Sequence, residues 1–459
     1  MRTVRASGTS PVFGLLLSGL VAAAAGGGQV QEENLGPLIN PIFNAAFSKG
    51  RLHIAYVTRK ESRFRVFVDG QLLKPEYDDI MKGSLVFIPA GKGVAYVAKK
   101  GAKWFVVLGG KPEPEYDEIM TGTPVFSPDG KRVAYAARKG KKWLVVLDGR
   151  PEPEYDDIMN GTPVFSLDGT HVGYCAKKVD HWLVVLDGRP GPEYNGIMAG
   201  MPVFSPDGKR IVYATRNGLK WRIVLDGHPG PEYDAIMTGT PVFSPDGKRI
   251  VYAARKGEKW LVVLDGQPEP EYDGIMIGTP LFSPDGKRIA YAANKGEKWL
   301  VVLDGHPEPE YDAIMTGTPV FSPDGTHVAY AAKKGEKWLV VFDGHPEAEY
   351  DDIMKGTPLF SPDGKRCAYG AKQGLKWLVV LDDHPEPEYD AIMAGMPLFS
   401  PDGKHCAYCA RKMSHWLVLL DGQPGPGYDE LVGMSFHPDG ALEYLAIRGD
   451  AFYRVNQAP

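Results

Sequence analysis

Cysteine is scarce, with four residues in a chain of 459. None of them belongs to a metal-binding motif, because Cys406 and Cys409 lie three positions apart on a predicted strand and would point to opposite faces. Cys367 and Cys406 fill a position that is Val or Ile in most copies of a repeat described below, and Cys175 and Cys409 fill an alanine position. We therefore expect small, apolar, free thiols.

Long apolar runs and a strong charge of either sign are also missing. The one long apolar stretch, residues 12–25, follows Arg2 and Arg5 and precedes small residues, which is typical of a secretory signal peptide over residues 1–28. We expect cleavage near residues 25–28 and no membrane span afterwards, with retention as an anchor as the alternative. The formal net charge of -5 argues against nucleic acid as a partner.

What the sequence does contain is one unit of 39 residues, written about ten times. The copy at residues 122–160 reads GTPVFSPDGKRVAYAARKGKKWLVVLDGRPEPEYDDIMN. The phenylalanine before its central turn recurs at a constant step, at Phe87, Phe126, Phe165, Phe204, Phe243, Phe282, Phe321, Phe360 and Phe399. A fixed period near 40 that reads as four short strands is typical of β-propeller blades.

Each unit is predicted to form four strands. Residues 124–127, 132–138 and 143–147 give the first three, separated by a Ser-Pro-Asp-Gly turn and by a break at Gly140. The third strand is apolar on both faces, so neighbouring blades must cover it. After an Asp-Gly turn, residues 155–159 are predicted to form a weaker fourth strand at the outer edge.

The predicted fold class is therefore all-β, a β-propeller of four-stranded blades, about 10 to 11 blades of 39 residues over residues 29–459. Ten full repeats run from about residue 43 to residue 431. The last blade, 432–459, lacks a fourth strand, which we expect an N-terminal strand at 34–43 to supply, so that both chain ends close one ring. Two smaller propellers in tandem are the alternative.

The motif Phe-Ser-Pro-Asp-Gly-Lys-Arg, at residues 204–210 and 243–249, precedes an apolar strand that ends in Asp-Gly. This pattern resembles the WD-repeat-like units of TolB and of prolyl oligopeptidase and dipeptidyl peptidase relatives, and it covers nearly the whole mature chain. TolB-like proteins carry an additional α/β domain and the peptidases carry a hydrolase domain. The sequence has no room for the former and no Gly-x-Ser-x-Gly elbow for the latter. The resemblance implies a bare propeller that binds proteins or other ligands in the bacterial envelope or outside the cell.

The charges of the turns indicate a candidate binding face. The second turn of each unit is basic and the third is acidic, so stacked blades would present one basic and one acidic face to an oppositely charged partner. The candidate binding residues on the basic face are Lys139, Lys142, Arg255, Lys256, Lys259, Lys333, Lys334 and Lys337. Ordinary solvated loops are the alternative interpretation.

Other repeated residues have structural interpretations. All nine tryptophans occupy one position, which we predict to be core, with a ligand-stacking platform as the alternative. One methionine per copy, from Met81 to Met393, is expected to fill packing space or to form a permissive binding rim. Turn aspartates such as Asp129 are expected to cap their turns rather than to bind calcium. Exposed loop positions, with a pH-dependent surface as the alternative, are expected for His228, His306, His345 and His384.

These features together predict a secreted or periplasmic scaffold with no catalytic, cofactor or metal site. An enzyme needs different groups that converge on one substrate, whereas these copies are nearly interchangeable. We expect a monomer that binds a protein or a glycan; a carbohydrate-binding propeller or a lyase- or glycosidase-type propeller enzyme is the alternative.

Overall fold

The computed structural model describes residues 21–23, 30–36, 44–47, 54–69, 71–89, 93–449 and 451–458. These residues form strands and turns, with no α-helix among them. Eleven antiparallel sheets follow one another along the chain, which confirms the all-β class and the four-stranded blade. Two compact units are present, residues 40–360 and residues 1–39 with 361–459.

The larger unit contains eight complete sheets, which we number blades 1 to 8 in chain order. Blade 1 has four strands, Asn44–Phe47, Ile54–Lys60, Arg63–Val68 and Gln71–Tyr77. In blades 2 to 8 the first strand is in two short pieces that both pair with the second strand: Asp79–Ile80 and Val86–Phe87, Glu118–Ile119 and Val125–Phe126, Asp157–Ile158 and Val164–Phe165, Gly196–Ile197 and Val203–Phe204, Ala235–Ile236 and Val242–Phe243, Gly274–Ile275 and Leu281–Phe282, Ala313–Ile314 and Val320–Phe321.

The remaining strands of blades 2 to 8 follow the repeat. The second strands are Val94–Lys100, Val133–Lys139, Val172–Lys178, Ile211–Asn217, Ile250–Lys256, Ile289–Lys295 and Val328–Lys334. The third strands are Lys103–Leu108, Lys142–Leu147, His181–Leu186, Lys220–Leu225, Lys259–Leu264, Lys298–Leu303 and Lys337–Phe342. The fourth strands are Lys111–Pro112, Arg150–Pro151, Arg189–Tyr194, His228–Pro229, Gln267–Tyr272, His306–Pro307 and His345–Tyr350. Two more short strands, Asp352–Ile353 and Leu359–Phe360, end this unit.

The smaller unit holds the strands of the last three blades that follow residue 360, together with the N-terminal strands. Its first group is Cys367–Gln373, Lys376–Leu381 and His384–Pro385. Blade 10 is Ala391–Ile392, Leu398–Phe399, Cys406–Lys412, His415–Leu420 and Gln423–Tyr428. Blade 11 is Glu430–Phe436, Leu442–Arg448, Ala451–Gln457, Val30–Gly36 and Val21–Ala23.

An N-terminal strand completes the sheet of blade 11. Val30–Gly36 pairs antiparallel with Ala451–Gln457, and Glu32 is held there by the hydroxyl of Tyr428 at 2.6 Å and by Arg448 at 2.9 Å. The sequence placed this strand at 34–43, of which residues 37–43 lie outside the described residues. Removal of residues 1–28 would take away the short strand Val21–Ala23 and leave four strands in this sheet.

The predicted fourth strand at 155–159 is wrong. The fourth strand of blade 3 is Arg150–Pro151 and reaches Tyr155 only as an isolated bridge to Trp143. Asp157–Ile158 pairs instead with the second strand of blade 4. Proline has no N–H to donate, so the Pro-x-Pro sequence interrupts the ladder. In blade 6 the same sequence forms a six-residue strand, but with a register shift between Leu261 and Val263.

The core lies between successive sheets. Ala134, Ala136 and Val145 of blade 3 pack against Tyr174 and Leu183 of blade 4, all of them buried. The small alanines leave room for the tyrosine of the next blade, whose ring is fully buried. Each sheet therefore needs its neighbours to bury its apolar faces, as in other repeat proteins.

Candidate binding groove at the second-turn end

The turn between the second and third strands defines one end of every blade. In blade 3 this turn is Gly140-Lys141, because Lys139 and Lys142 are paired residues. The connection from blade 2 arrives at the same end, where the N–H of Asp117 donates to the carbonyl of Arg138 at 2.9 Å. We call this the second-turn end. The other two turns lie at the opposite end of the sheet, which we call the first-turn end.

Three of the predicted binding lysines are held in bridges between blades. Lys142 Nζ lies 2.6 Å from Asp156 Oδ1, and Asp156 Oδ2 accepts the N–H of Val179 in the next blade at 2.7 Å. Lys259 is paired in the same way with Asp273, at 2.5 Å. The hydrogen bond from Lys142 and then that from Val179 hold the pKa of Asp156 below its ordinary value. These lysines are therefore partly neutralised by the connecting segments.

Lys337 is the third bridged lysine, and the other predicted binding residues lie in the same three blades as the bridged lysines. Lys337 is 2.6 Å from Asp351. Arg255 lies over the ring of Trp260, 6.0 Å from its centre. Lys333 is half-buried. The remaining three side chains are exposed, Lys139, Lys256 and Lys334. All eight belong to the second-turn end, as the sequence predicts, but they come in groups of two or three from blades 3, 6 and 8.

A groove of about 780 Å³ crosses this end at blades 2, 3 and 4. Its apolar lining comes from the tryptophan and methionine positions of the repeat and from the first strands. The lining residues are Met81, Trp104, Asp117, Glu118, Ile119, Met120, Thr121, Trp143, Asp157, Ile158, Met159, Asn160, Trp182 and Ala199. Because each tryptophan comes from a different blade, the groove offers the same aromatic group three times in succession.

Every charged residue that lines the groove is acidic. Glu118 is held by the guanidinium of Arg138 at 2.7 and 2.9 Å, and the same guanidinium lies 5.9 Å from the centre of the Trp143 ring. Asp117 is paired with Lys103 at 2.5 Å. Within the part of the chain that the structure describes, Asp157 accepts a hydrogen bond only from the N–H of Ile158, at 2.9 Å. Its carboxylate can therefore receive a cation from a ligand.

The groove is not found from the sequence, because the tryptophan position is predicted there to be core, with a ligand-stacking platform only as the alternative. Trp143 does pack beside the buried cluster of Val145 and Ile158, but its side chain is only half-buried. A signal was present in the sequence. The residue that opens the first strand is acidic in blades 2 to 4, as Asp79, Glu118 and Asp157, and is Gly196 in blade 5.

The first-turn end is built from turn contacts. Asp129 Oδ1 accepts the hydroxyl of Ser127 at 2.7 Å and the N–H of Lys131 at 3.1 Å, which confirms its capping role. The hydroxyl of Ser127 is the largest cause of its low pKa. All four histidines of this position are exposed, and the rings of His306, His345 and His384 contact the carbonyl of the turn aspartate, at 3.0 Å for His306. His228 lines a smaller cavity of about 480 Å³ between blades 5 and 6.

The cysteines and the possible metal ligands were the other candidates for a chemical role. All four cysteines are buried free thiols, and burial raises the pKa of Cys406 to about 12. No cluster of three metal-ligating side chains occurs among the described residues. In the same ranges, no helix could cross a membrane.

Comparisons with known proteins give similarity to solved structures. No protein-family model matches the chain, and no curated protein matches it. The crystal structure of a eukaryotic initiation factor is similar at 12% identity and a TM-score of 0.37, with 78% of this chain and 97% of that chain covered. The Dos1 propeller is similar at 11% identity and a TM-score of 0.32, with 73% of this chain and 92% of that chain covered. TolB from Acinetobacter baumannii is similar at 18% identity and a TM-score of 0.24, with 65% of this chain and 78% of that chain covered.

Because these TM-scores are low, the fold is assigned from the strands and the repeat of the chain itself. Its sheets are antiparallel and four-stranded, their first strand is broken in the middle, and they recur every 39 residues. The described residues form eleven antiparallel sheets in tandem, of the four-stranded type found in the blades of WD-repeat-like β-propellers.

Proposed function

We propose that the protein is a secreted or periplasmic interaction scaffold that binds a protein partner in the groove at the second-turn end. The observation that carries the proposal is the row of Trp104, Trp143 and Trp182, half-buried along a groove of about 780 Å³. Large aromatic side chains in partly buried pockets are typical anchors of protein interfaces. Methionines such as Met159 add an adaptable apolar surface.

Absence of catalysis is part of the proposal. Two of the three acids of the groove, Asp117 and Glu118, are bound to Lys103 and Arg138, and the same arrangement of strands and turns is repeated in blade after blade. General acid or base catalysis requires a titratable group free to exchange a proton with a substrate. A scaffold needs only a surface that several blades build together.

Affinity capture tests the proposed function. The chain from Gln29 onward, on beads, is exposed to an envelope extract at low and high salt and compared with Trp143→Ala and Trp299→Ala. Trp299 occupies the same position in blade 7 but does not line the groove, so it controls for lost packing. We expect one protein, retained by the parent and by Trp299→Ala and lost with Trp143→Ala. Equal capture by all three chains would contradict a groove-based scaffold.

A carbohydrate ligand is the second candidate. Trp143 and Trp182 lie in one groove with Asp157 and Asn160, and an aromatic ring beside planar polar groups suits a sugar ring. Recovery of a glycan without any protein in the same capture would favour this candidate.

Export is proposed from the sequence alone. Residues 1–20 and 24–29, which include most of the expected signal peptide, lie outside the described residues. N-terminal sequencing of the protein recovered outside the cytoplasm should begin near residues 26–29. A chain that retains Met1 in the cytoplasmic fraction would contradict the proposed location.

A further inference from the structure

The second turn of blade 4 departs from the repeat beside the groove. The first residue of this turn has a positive φ in every described blade: it is Glu61 in blade 1, Met413 in blade 10 and glycine in eight blades, Gly101, Gly140, Gly218, Gly257, Gly296, Gly335, Gly374 and Gly449. In blade 4 it is Val179, with φ 57°. A β-branched residue in this conformation is strained.

Nothing in the fold requires valine at this position. Val179 N donates to Asp156 Oδ2 at 2.7 Å, and Gly140 N makes the equivalent bond to Asp117 at 2.6 Å. Its side chain does not serve the core, because 70% of the residue is exposed. The strain is therefore not compensated by packing within the chain. A strained, exposed apolar residue is an observation from which function can be inferred.

The turn of the neighbouring blade carries a second exposed apolar side chain. Leu219 follows Gly218 in the second turn of blade 5 and is 88% exposed. The two turns are joined through Asn195, whose Oδ1 accepts the N–H of Gly218 at 2.8 Å and whose amide lies 3.5 Å from His181 Nε2. Asn195 and His181 replace the aspartate and lysine that bridge other blades. The bridge between blades 4 and 5 therefore has no carboxylate, whereas the N–H of Val179 still contacts Asp156 of the preceding bridge.

Both turns are connected to a residue that lines the groove. Val179 and Trp182 belong to one hairpin, in which Lys177 pairs with Trp182 and Lys178 with His181, so the tryptophan lies next to the turn. Trp182 also lines the groove. Val179 is therefore three residues from a lining tryptophan, and the turn that carries Leu219 is linked to the same hairpin through Asn195 and His181.

We propose that Val179 and Leu219 extend the groove into a docking surface for a polypeptide segment that combines apolar and basic side chains. The proposal rests on the proposed function, since it uses the same groove. The basic character follows from charge complementarity, because the charged lining residues are all acidic and Asp157 is open to a cation. The polypeptide follows from the aliphatic turns and the thioethers of Met120 and Met159, which offer a sugar no hydrogen bonds.

The test uses a defined probe, a random twelve-residue peptide library displayed on phage and selected on the whole chain. We expect enriched peptides to combine Leu, Ile, Phe or Met with Lys or Arg, and to bind more weakly as salt rises. Enrichment of acidic peptides, or no enrichment, would overturn the proposal. Binding to immobilised oligosaccharides instead of peptides would do the same and would favour the carbohydrate candidate.

Variants then locate the enriched peptide on the surface by fluorescence anisotropy. Val179→Gly introduces the glycine that eight blades have and Leu219→Lys adds a repelling charge, and each should weaken binding about tenfold. Glu258→Lys is the matched control, because Glu258 is the exposed residue at the position of Leu219 in blade 6. Its affinity should equal that of the parent.

The results for these variants distinguish a failure of the extension onto the turns from a failure of the proposed function. If Trp143→Ala loses the peptide while Val179→Gly and Leu219→Lys retain it, the groove binds and the extension onto the turns is wrong. If all three variants bind as the parent does, the peptide does not use the groove, and the proposed function fails with the extension.

Discussion

The arginine after the first turn is the side chain that ties one blade to the next. Arg249 Nε donates to Asp265 at 2.9 Å in its own blade, and Nη1 donates to the carbonyl of Lys287 in the following blade at 3.2 Å. Its guanidinium also lies over the ring of Phe282, at 5.6 Å. Where the repeat has histidine, as at His327, the bond to the turn aspartate is kept, at 2.6 Å to Asp343.

Replacement of Arg249 by alanine should lower the free energy of unfolding by about 1 kcal/mol, since a partly exposed ion pair and a cation–π contact are lost together. Urea denaturation followed by tryptophan fluorescence measures the change. Lys248→Ala, one residue earlier and largely exposed, should leave stability within about 0.5 kcal/mol. An equal loss in both variants would show that the contact to the next blade contributes nothing.

The tryptophans contribute less to stability than full burial would imply. Trp260 is half-buried beside the core cluster that contains Leu300 and Val302. We expect Trp260→Ala to cost about 2 kcal/mol, below the 3–5 kcal/mol typical of a fully buried aromatic residue. The same urea titration measures it. A loss of about 4 kcal/mol or more would mean that this position is core and unavailable to ligands.

The second turn is the element in which the blades differ most. Gly140 has φ 62°, and a Cβ there would meet nothing within 4 Å, so a substitution acts through backbone conformation alone. Gly140→Val should therefore destabilise the protein by about 1–2 kcal/mol, and Val179→Gly should stabilise it by about 1 kcal/mol. Thermal and urea unfolding measure both changes.

Gly140→Asn is the control for the Gly140→Val and Val179→Gly variants, because asparagine tolerates positive φ better than valine does. It should lose less stability than Gly140→Val. If valine proved as stable as glycine at residue 140, Val179 would carry no strain, and one argument for its role in docking would be lost.

The first turn makes stability depend on pH. The hydroxyl of Ser283, and then the N–H of Lys287, lower the pKa of Asp285 from 3.8 to about 2. A carboxyl group with a depressed pKa in the folded state contributes stability above its unfolded pKa, and this contribution is lost as pH falls through the folded value. Asp324, in the next blade, is lowered to about 2 by Ser322 in the same way.

Urea midpoints should therefore decrease as pH falls from about 4 to about 2. The double variant Asp285→Asn, Asp324→Asn should show a smaller decrease than the parent chain. Glu258→Gln with Glu336→Gln makes the same change of charge at exposed second turns and should follow the parent curve. Identical curves for all three chains would show that the turn carboxylates do not link folding to protons.

The elements predicted correctly were those set by local sequence. The Ser-Pro-Asp-Gly turn and the two-residue turn at Asp148-Gly149 fix where the second and third strands begin and end, and Asp148 and Gly149 both have the positive φ that such a hairpin needs. The fourth strand was misplaced because Asp157–Ile158 pairs with the following blade, and nothing within one copy of the repeat specifies that partner. A strand that pairs within its own blade and a strand that pairs with the following blade have similar patterns of apolar residues.

In the whole molecule the repeat forms the core, and the proposed binding site depends on departures from the repeat. Alternation of small and aromatic residues between successive blades, such as Ala136 against Tyr174, is readable from one copy. The groove could not be read in this way, because it combines three blades and depends on how far each tryptophan is covered. The departures are visible in the sequence as Val179, Leu219 and Asn195, but the structure is needed to show that Asn195 links the turns of blades 4 and 5.

Hydroxyl-radical footprinting of the protein with its captured partner tests the central claim most directly. The nine tryptophans occupy one position, so those outside the groove are internal controls, and their peptides differ in mass because the flanking turns differ in sequence. The account predicts that the partner lowers oxidation of Trp104, Trp143 and Trp182, and leaves Trp260 and Trp299 unchanged. Uniform protection of all five, or protection confined to the first-turn end, would contradict it.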